Sequence, residues 1–283
     1  MLTINLFNGL VHGALLIVMC SGLALIYGLR RVVNFAHGSL YMLGAYLGYS
    51  IAIHSNFWVA LVAAPMVMGV VGVLLDRYGF RLLQDRDPLS VVLVTFGLLL
   101  VIEDFVQTVW GTANLSVPAP ELLGMSVNLF GTPVPAYRIA VIFVGAAVAL
   151  GLSLWLRYSR IGLFVRAAST DPVTTAMQGV NTDVLSAGVV GLGTALAGLA
   201  GVVAAPFLAL SPSMSSDVLI DSFVVVVIGG LGSLAGAFVA AVILGLLQAV
   251  GAVYLPEVSA ILPFALMVLI LLWKPAGFAG SRI

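Results

Sequence analysis

The chain has 283 residues, of which 62% are hydrophobic and only 8% are charged. A soluble globular domain needs several times more charge on its surface, so this composition excludes one and indicates a polytopic membrane protein. Eleven Lys and Arg residues balance eleven Asp and Glu residues. The resulting net charge of zero carries no information about nucleic acid, which is not among the predicted partners. The single cysteine, Cys20, lies in an apolar run, so neither a disulfide framework nor a CxxC site is predicted.

Apolar runs of the length that crosses a bilayer, about 20 residues, recur along the whole chain. They predict an all-α fold, a transmembrane helix bundle of about eight full spans that forms a single domain over residues 1–283. The predicted spans are 6–28, 35–53, 57–75, 89–110, 136–156, 184–210, 234–255 and 259–273.

A shorter apolar piece, residues 219–228, has half the length of a span and leads into a glycine-rich stretch. Three glycines within 229–233 favour a half-helix followed by a break. The stretch GGLGSLAG superficially resembles a phosphate-binding loop, but it lacks the Lys-Ser/Thr that such a loop requires. Binding of ATP by that mechanism is therefore excluded.

Basic residues accumulate in the cytoplasmic loops of membrane proteins. Here they follow the first, third, fifth and last spans, while Arg138 lies alone at the opposite membrane edge. This distribution predicts an amino terminus outside and a carboxyl terminus inside, with the half-helix as a ninth crossing. No basic region precedes the first span, which is therefore predicted to stay as an uncleaved anchor. The residues that set this orientation are Arg30, Arg31, Arg77, Arg81, Arg86, Arg157, Arg160, Arg166, Lys274 and Arg282.

The largest outer loop, residues 111–135, contains four prolines and, between them, Gly124 and Gly131. Such a composition predicts a compact, turn-rich cap with one hairpin. No soluble domain is left over, so the chain is expected to work inside the bilayer and through its loops.

The cytoplasmic coupling loop, residues 157–183, is the longest polar interruption that also carries a basic cluster. Pro172 follows three residues that favour helix caps, which predicts a break and then a short helix over 173–177 that Gly179 ends. The loop has too few apolar residues to span the membrane and too many for a solvated loop. It therefore suits docking on a partner or on the membrane surface, and a connector without a partner is the alternative.

Asn34 and His37 lie just inside the second span, beside Gly38, which allows a backbone break. Gly44 and Gly48 form a GxxxG face for close helix approach. Polar side chains beside such a break suggest a substrate passage or gate. A capped helix start at the inner interface, with Asn34 as the N-cap, is an equally weighted alternative.

Glu103 and Asp104 come late in the fourth span and point about 100° apart around a helix. Because charge at the membrane centre is costly, the favoured interpretation is that this span ends early and both carboxylates are interfacial. The alternative is that one of them faces a water-filled passage. Asn5, Asn8 and His12 recur on one helix face. They either line an entry vestibule or lie at the solvent-exposed outer end of the helix.

Catalytic and metal-binding patterns are missing from the sequence. The three histidines, at positions 12, 37 and 54, stand far apart, and no GxSxG motif occurs. No catalytic residue, metal site or cofactor is predicted, which leaves a membrane enzyme as the weakest class of function.

Three segments resemble the permeases of branched-chain amino acid (LIV-type) ABC importers, specifically the LivH-like subunit. They read GLALIYGLRRVVNFAHGSLYMLGAY, SRIGLFVRAASTDPVTTAMQGVN and FVVVVIGGLGSLAGAFVAAVILGLLQ. The similarity covers nearly the whole chain in collinear order. It implies an inner-membrane permease that carries no ATPase, pairs with a second, LivM-like permease, rests on two ATP-binding subunits and receives substrate from an extracytoplasmic binding protein.

The resemblance also implies roles for individual residues. The glycine breaks and their polar neighbours become candidates for the substrate passage or gate, and the 157–183 loop becomes the contact with the ATPase, although the full EAA signature of other importers is absent. The passage candidates are Asn34, His37, Gly38, Tyr41, Gly229, Gly230 and Gly232. The coupling candidates are Gly162, Arg166, Ala167, Asp171, Ala176 and Gly179.

The function implied is inward movement of branched-chain or other hydrophobic amino acids by alternating access. Related permeases handle urea or short amides, and a self-sufficient channel would differ by needing neither ATP nor a binding protein. Within the coupling loop, Arg166 and Asp171 are expected to meet opposite charges in a groove on the ATPase, while Val165 and Met177 fill it. The other inner loop, residues 77–87, is the alternative place for this contact.

Overall fold

The computed structural model describes residues 2–83, 86–129 and 132–279, and within these residues the chain is mostly helical. This confirms the all-α prediction. Gly131 and Arg282 lie outside the described residues, as do positions 84 and 85 of the second inner loop. The helices are α1 (Leu2–Arg30), α2 (His37–His54), α3 (Phe57–Tyr78), α4 (Pro88–Trp110), α5 (Ala136–Tyr158), α6 (Arg160–Thr170), α7 (Pro172–Met177), α8 (Thr182–Ala204), α9 (Met214–Gly229), α10 (Leu234–Tyr254) and α11 (Leu262–Trp273).

Short 3-10 turns and one hairpin complete the described chain. The hairpin joins β1 (Ser126–Leu129) to antiparallel β2 (Thr132–Pro135), with Val127 opposite Val134. It confirms the hairpin predicted in the outer loop. The 3-10 turns are Phe80–Leu83, Glu121–Leu123 and Pro256–Val258.

Polar caps set the starts of several membrane helices. Asn56, Asp87, Asn181 and Ser233 precede α3, α4, α8 and α10, and each accepts a hydrogen bond from a backbone N–H three residues further on. Each bond satisfies one of the N–H groups that a helix start leaves without an intrahelical partner. The helix starts are therefore fixed by the sequence where an apolar run meets an Asn, Asp or Ser.

Two helices form the centre of the bundle. The apolar part of α1 is 89% buried, and that of α8 is 72% buried. Helix α1 packs against α10, α8 and α5, while α8 packs against α3, α2 and α1. By contrast the apolar part of α5 is only 17% buried, so its outer face is left for lipid or a protein partner.

Close helix contacts depend on glycine. A side chain on Gly44 would begin 2.4 Å from the Cα of Gly198, and one on Gly48 would overlap Val202. The predicted GxxxG face of α2 therefore packs on α8, as expected for small residues in membrane helices.

The contacts between helix ends define two ends of the bundle. At the basic end, Arg30 of α1 meets Asp76 of α3, and Arg31 meets Ser169 of α6. At the opposite, loop end, the indole N–H of Trp110 at the end of α4 donates to Ser50 of α2.

Six of the described helices are long and apolar enough to cross a membrane, namely α1, α3 with its 3-10 extension, α4, α5, α8 and α10. The spans predicted at 35–53 and 259–273 correspond to α2, with 18 residues, and α11, with 12. The half-helix predicted from residue 219 begins earlier, at Met214, and has 16 residues. The total of eight full spans remains a prediction.

Candidate functional site

The first break, residues 31–36, carries the chain back into the bundle. Arg31 has a left-handed backbone with φ of 53°, and α2 begins only at His37. The His37 ring reaches the carbonyl of Met19, which lies eleven residues before the end of α1, or about 16 Å along that helix. Helix α2 therefore starts well below the basic end.

Asn34 is buried in this break, with 2% of its surface exposed. Its Oδ1 accepts a hydrogen bond of 3.0 Å from the backbone N–H of Ala36, which fixes the orientation of the amide. Its Nδ2 has no hydrogen-bond partner within the described part of the chain. The N-cap of α2 is Ala36 rather than Asn34, so that detail of the capping alternative was wrong. A buried donor without a partner points to a site for water or a ligand.

His37 is fully buried against α1. Its Nε2 lies 3.0 Å from the Met19 carbonyl oxygen. Because a carbonyl can only accept, Nε2 carries the hydrogen. Nδ1 makes no hydrogen bond to any described residue. The ring lies beside Gly22, where a side chain would strike the carbonyl of Gly193 in α8.

Gly38 and Tyr41 complete the first group of passage candidates. A side chain on Gly38 would overlap the Ser215 carbonyl, so the start of α2 touches the start of α9. Tyr41 is buried, and its carbonyl lies against Gly201 of α8. The structure thus brings Asn34, His37, Gly38 and Tyr41 together where α1, α2, α8 and α9 meet, and their role in a passage remains a prediction.

The second break, residues 230–233, is built from backbone rather than polar side chains. Gly230 and Gly232 have φ values of 96° and 86°, which favour glycine. A side chain on Gly229 would begin 2.5 Å from the backbone nitrogen of Ala237, so α9 and α10 pack tightly on each other. Phe278 donates its backbone N–H to Ile228, and Ala279 to Gly229, at 2.9 and 3.1 Å. The carboxyl-terminal segment thereby satisfies two carbonyls at the end of α9.

The coupling loop consists of α6 and α7, which confirms the predicted break at Pro172 and the short helix after it. Gly162 permits the turn between α5 and α6, because a side chain there would lie 2.6 Å from the backbone of Leu156. Gly179 follows α7 with φ of 85°. The Oδ1 of Asp171 accepts the Thr174 N–H at 3.0 Å and caps α7. Hydrogen bonds from the Thr174 hydroxyl and N–H hold the pKa of the Asp171 carboxyl below its usual value.

Most coupling candidates face away from the bundle. Arg166, Ala167, Asp171, Ala176 and Gly179 are exposed, whereas Gly162 is buried. One expectation about the partner groove was wrong. Val165 belongs to a small buried cluster with Leu25, Leu152, Val189 and Leu196, so it is not available to fill a groove on a partner. Met177, with 78% of its surface exposed, remains available.

Both breaks and the coupling loop meet at the basic end. A cavity of about 500 Å³ is lined by Gly28 and Arg31 beside the first break, Ser169 and Thr170 of α6, and Gly232 of the second break. The Arg31 guanidinium donates to the Ser169 carbonyl at 3.3 Å. Residue groups that are far apart in the sequence therefore share one cavity.

A buried charged group at this end was missed by the sequence analysis. Asp76, 1% exposed, accepts from the Arg30 guanidinium at 2.7 Å and from the Ser186 hydroxyl at 3.1 Å. The group joins the ends of α1 and α3 to the start of α8. The sequence analysis considered Arg30 only as one of the basic residues that predict membrane orientation. The position of Asp76, directly after the apolar run 57–75, was the signal in the sequence that could have revealed this group.

The two carboxylates of α4 have different surroundings. Glu103 is half-buried and accepts a hydrogen bond from the Ser215 hydroxyl at the start of α9, whereas Asp104 is exposed. Their divergent directions agree with the helical geometry. Helix α4 itself continues to Trp110, and the interfacial position of the two carboxylates remains a prediction.

A further polar group lies around Asp221 of α9. Gln248 of α10 donates to it at 2.8 Å, and His12 of α1 lies 3.8 Å away. Asn8, from the same stripe as His12, accepts from Arg138 of α5 at 2.6 Å. The stripe thus contributes contacts between helices. Among the described residues, no group of three or more His, Cys, Asp or Glu could hold a metal ion.

Residues 5–271 match the family described as "Branched-chain amino acid transport system / permease component". The chain is 29% identical to the high-affinity branched-chain amino acid transport system permease protein LivH of Escherichia coli (strain K12), over 98% of this chain and 94% of the relative. It is 27% identical to the corresponding permease protein BraD of Pseudomonas aeruginosa, over 98% and 95%. The permease protein LivM of Salmonella typhimurium is 27% identical, over 92% of this chain and 67% of that protein.

The family match covers most of the length of the chain, and it includes both helix breaks and the coupling loop. The relatives named LivH and BraD are matched over nearly their full length. The chain therefore belongs to the family of permease components of branched-chain amino acid transport systems.

Proposed function

We propose that this chain is the membrane-spanning permease subunit of an ATP-driven importer that moves branched-chain or other hydrophobic amino acids inward by alternating access. The observation that carries the proposal is the shared cavity at the basic end. There, both helix breaks border α6, the helix offered to a partner.

The coupling loop is proposed as the contact with the ATPase. Nucleotide binding and hydrolysis on a partner can select between two permease states only through a contact that differs between them. A shift of α6 would act on Arg31 through its bond to the Ser169 carbonyl. Arg31 is the first residue of the break that holds Asn34, so the movement has a short path to the proposed passage.

The proposed passage runs past the two breaks. Asn34 and His37 supply the polar groups there, and Gly229, Gly230 and Gly232 supply irregular backbone without side chains. Irregular backbone at membrane depth is tolerated where it lines a cavity or is buried in protein, and transporters place their binding sites there.

The proposed partners are a second, LivM-like permease, two ATP-binding subunits and an extracytoplasmic substrate-binding protein. The similarity to a permease named LivM supports a homologous partner of this kind. Hydrolysis of ATP is assigned to the partner subunits, and this chain has no catalytic role of its own.

The proposed location is the inner membrane, with the amino terminus outside and the basic end in the cytoplasm. Single cysteines at Arg81 and Thr170 should resist an impermeant thiol reagent in intact cells, whereas one at Glu121 should react. Both Arg81 and Glu121 are exposed, so a difference between them reports the side of the membrane. Labelling of Thr170→Cys from outside would reverse the orientation.

The function is tested by transport in reconstituted vesicles. The complete complex with its binding protein should accumulate L-leucine when ATP is supplied, and should not do so when either ATP or the binding protein is left out. Uptake that needs neither would favour a self-sufficient channel. Competition by isoleucine and valine, but not by urea or short amides, is expected. The reverse pattern would favour an amide permease of the same family.

A further inference from the structure

The cavity that the two breaks share with the coupling loop is open to solvent at the basic end. Its volume of about 500 Å³ falls in the range of roughly 300–1,000 Å³ that is typical of small-molecule sites. Arg31 and Thr170 on its wall are exposed, and Leu231 is 48% exposed. A small ligand can therefore enter from the basic end without a movement of the helices.

Arg31 brings a positive charge to the wall of this cavity. Its guanidinium has five N–H donors and makes one side-chain hydrogen bond to a described residue, the 3.3 Å bond to the Ser169 carbonyl. It forms no ion pair with any carboxylate in the described part of the chain, whereas the neighbouring Arg30 is paired with Asp76. The planar fork of Arg31 therefore has donors left for a carboxylate, the group that it fits best.

Ser169 and Thr170 add hydrogen-bond acceptors to the polar part of the wall. Their hydroxyls donate to the Arg166 carbonyl at 2.8 and 3.1 Å. A hydroxyl has one hydrogen and two lone pairs, so these oxygens can only accept further hydrogen bonds. The polar part of the wall thus offers donors to an anionic group and acceptors to a cationic one, a combination that suits a zwitterion.

The remaining wall is largely apolar. Six of the eleven lining residues are aliphatic or aromatic, and they come from α1, α9, the second break, α11 and the segment after α11. A pocket with a few polar groups on a mostly apolar wall is typical of sites for ligands that are part polar and part hydrocarbon. The six residues are Tyr27, Val227, Leu231, Leu271, Pro275 and Ala276.

We propose that this cavity binds the transported amino acid on the basic side of the bundle. The carboxylate binds Arg31, the ammonium donates to the Ser169 and Thr170 hydroxyls, and the aliphatic side chain packs on the apolar wall. This proposal rests on the proposed function, which supplies an α-amino acid as the ligand. Because α6 and both breaks line the cavity, a bound amino acid contacts the parts of the chain through which coupling is proposed to act.

The test is a saturation-transfer NMR titration of the complete complex in lipid nanodiscs, without the binding protein and without nucleotide. Three probes separate the ends of the ligand: L-leucine, 4-methylpentanoate, which lacks the ammonium, and isoamylamine, which lacks the carboxylate. L-leucine should bind about three- to tenfold more tightly than either analogue, because each analogue leaves part of the polar wall without a partner. No binding of L-leucine, or an analogue that binds as tightly, would overturn the assignment.

Variants assign the signal to the cavity. Leu271→Trp should abolish binding by filling the space, and Arg31→Gln should weaken it about tenfold by removing the charged partner of the carboxylate. Leu272→Trp is the matched control, because Leu272 is the next residue of α11, is 81% exposed and does not line the cavity. It should bind like wild type. Size-exclusion profiles show whether each complex assembles, and Arg31→Gln serves if Leu271→Trp does not.

The outcomes for binding and for transport are separable. Loss of L-leucine binding in Leu271→Trp, with binding kept in Leu272→Trp, supports the site even if ATP-driven uptake is never observed, in which case the proposed function fails alone. Undiminished binding in both Leu271→Trp and Arg31→Gln overturns the site even if uptake is normal.

Discussion

The two breaks interrupt the helices by different chemistry. The first break interrupts the helices with buried polar side chains, Asn34 and His37, and each keeps one polar atom without a hydrogen-bond partner in the described structure. The second break consists of glycine backbone. The carboxyl-terminal segment donates hydrogen bonds to the carbonyls of Ile228 and Gly229, which come directly before this break. Polar groups without hydrogen-bond partners suit a site that takes water or a ligand. Close-packed backbone whose carbonyls are hydrogen-bonded suits a rigid helix–helix contact. On this comparison we propose that the first break contributes to substrate recognition and the second to mechanical support.

The largest effect is expected where the second break depends on backbone contact. Gly236→Ala would place a Cβ 1.8 Å from the Gly229 carbonyl oxygen, with no flexible side chain to move aside. Forcing α9 and α10 apart should cost about 3 kcal/mol or more, enough to lower the yield of folded protein sharply. Thermal unfolding of the purified protein measures the change.

Gly97→Ala is the matched control for this glycine, because nothing lies within 4 Å of its missing Cβ in the middle of α4. It should be neutral or stabilising by about 0.5–1 kcal/mol, since alanine is the better helix former. If both variants were equally stable, the second break would not depend on close contact between α9 and α10.

At the first break, function should change more than stability. Asn34→Leu removes an unpaired buried donor, but also the oxygen that accepts the Ala36 N–H, so stability should fall by no more than about 1–3 kcal/mol and the complex with the ATPase should still assemble. Uptake should fall about tenfold, the loss expected when one hydrogen bond of about 1.4 kcal/mol to a substrate in the proposed passage is removed. The measurement is initial uptake of labelled leucine, normalised to assembled complex.

Tyr46→Phe provides the control, because the Tyr46 hydroxyl is also buried without a partner among the described residues but lies outside the break. It should leave uptake unchanged. Normal uptake in Asn34→Leu would return Asn34 to a local role in the turn before α2.

A smaller effect is expected at the connection between the coupling loop and the first break. Arg31→Lys keeps the charge but loses the guanidinium bond to the Ser169 carbonyl. Because this bond is long and exposed, stability should change by less than about 1 kcal/mol. Leucine transported per ATP hydrolysed should fall a few-fold, and an unchanged ratio would show that the bond carries no coupling.

The smallest effect concerns pH at the α7 cap. The pKa of Asp171 is lowered by its bonds to Thr174, so the cap stabilises α7 above the pKa of the unfolded chain and is lost as pH falls through the lower folded value. Amide hydrogen exchange of Thr174, corrected for its intrinsic rate, should accelerate on acidification, and Asp171→Ala should remove that dependence. A pH dependence that persists in Asp171→Ala would rule out the cap as its source.

Much of the fold could be predicted because its determinants are local. Apolar runs gave the membrane helices, and Pro172 with Gly179 gave the bounds of α7, since capping and helix breaking depend on neighbouring residues. The length of α9 was underestimated because its first turns contain Ser215, Ser216 and Asp217, which hydropathy counts as loop.

The candidate site was only partly predictable. Asn34 and His37 stood out as polar residues in an apolar span, but their proximity to α8 and α9 depends on long-range packing. Asp76 was missed because its partner Arg30 lies 46 positions earlier in the sequence. The burial of Val165 was missed because the loop was treated as a surface segment, whereas α6 presents one face to the bundle.

The central claim is that the coupling loop transmits the work of a partner ATPase to the breaks. It is tested most directly by substrate-stimulated ATP hydrolysis of the reconstituted complex carrying Arg166→Glu or Asp171→Lys. Both residues are exposed on the loop, so the bundle should fold normally. We expect stimulation by the loaded binding protein to be lost, together with uptake. If stimulation and uptake both survive in the two variants, the loop is only a connector, and the contact must lie in the second inner loop, residues 77–87.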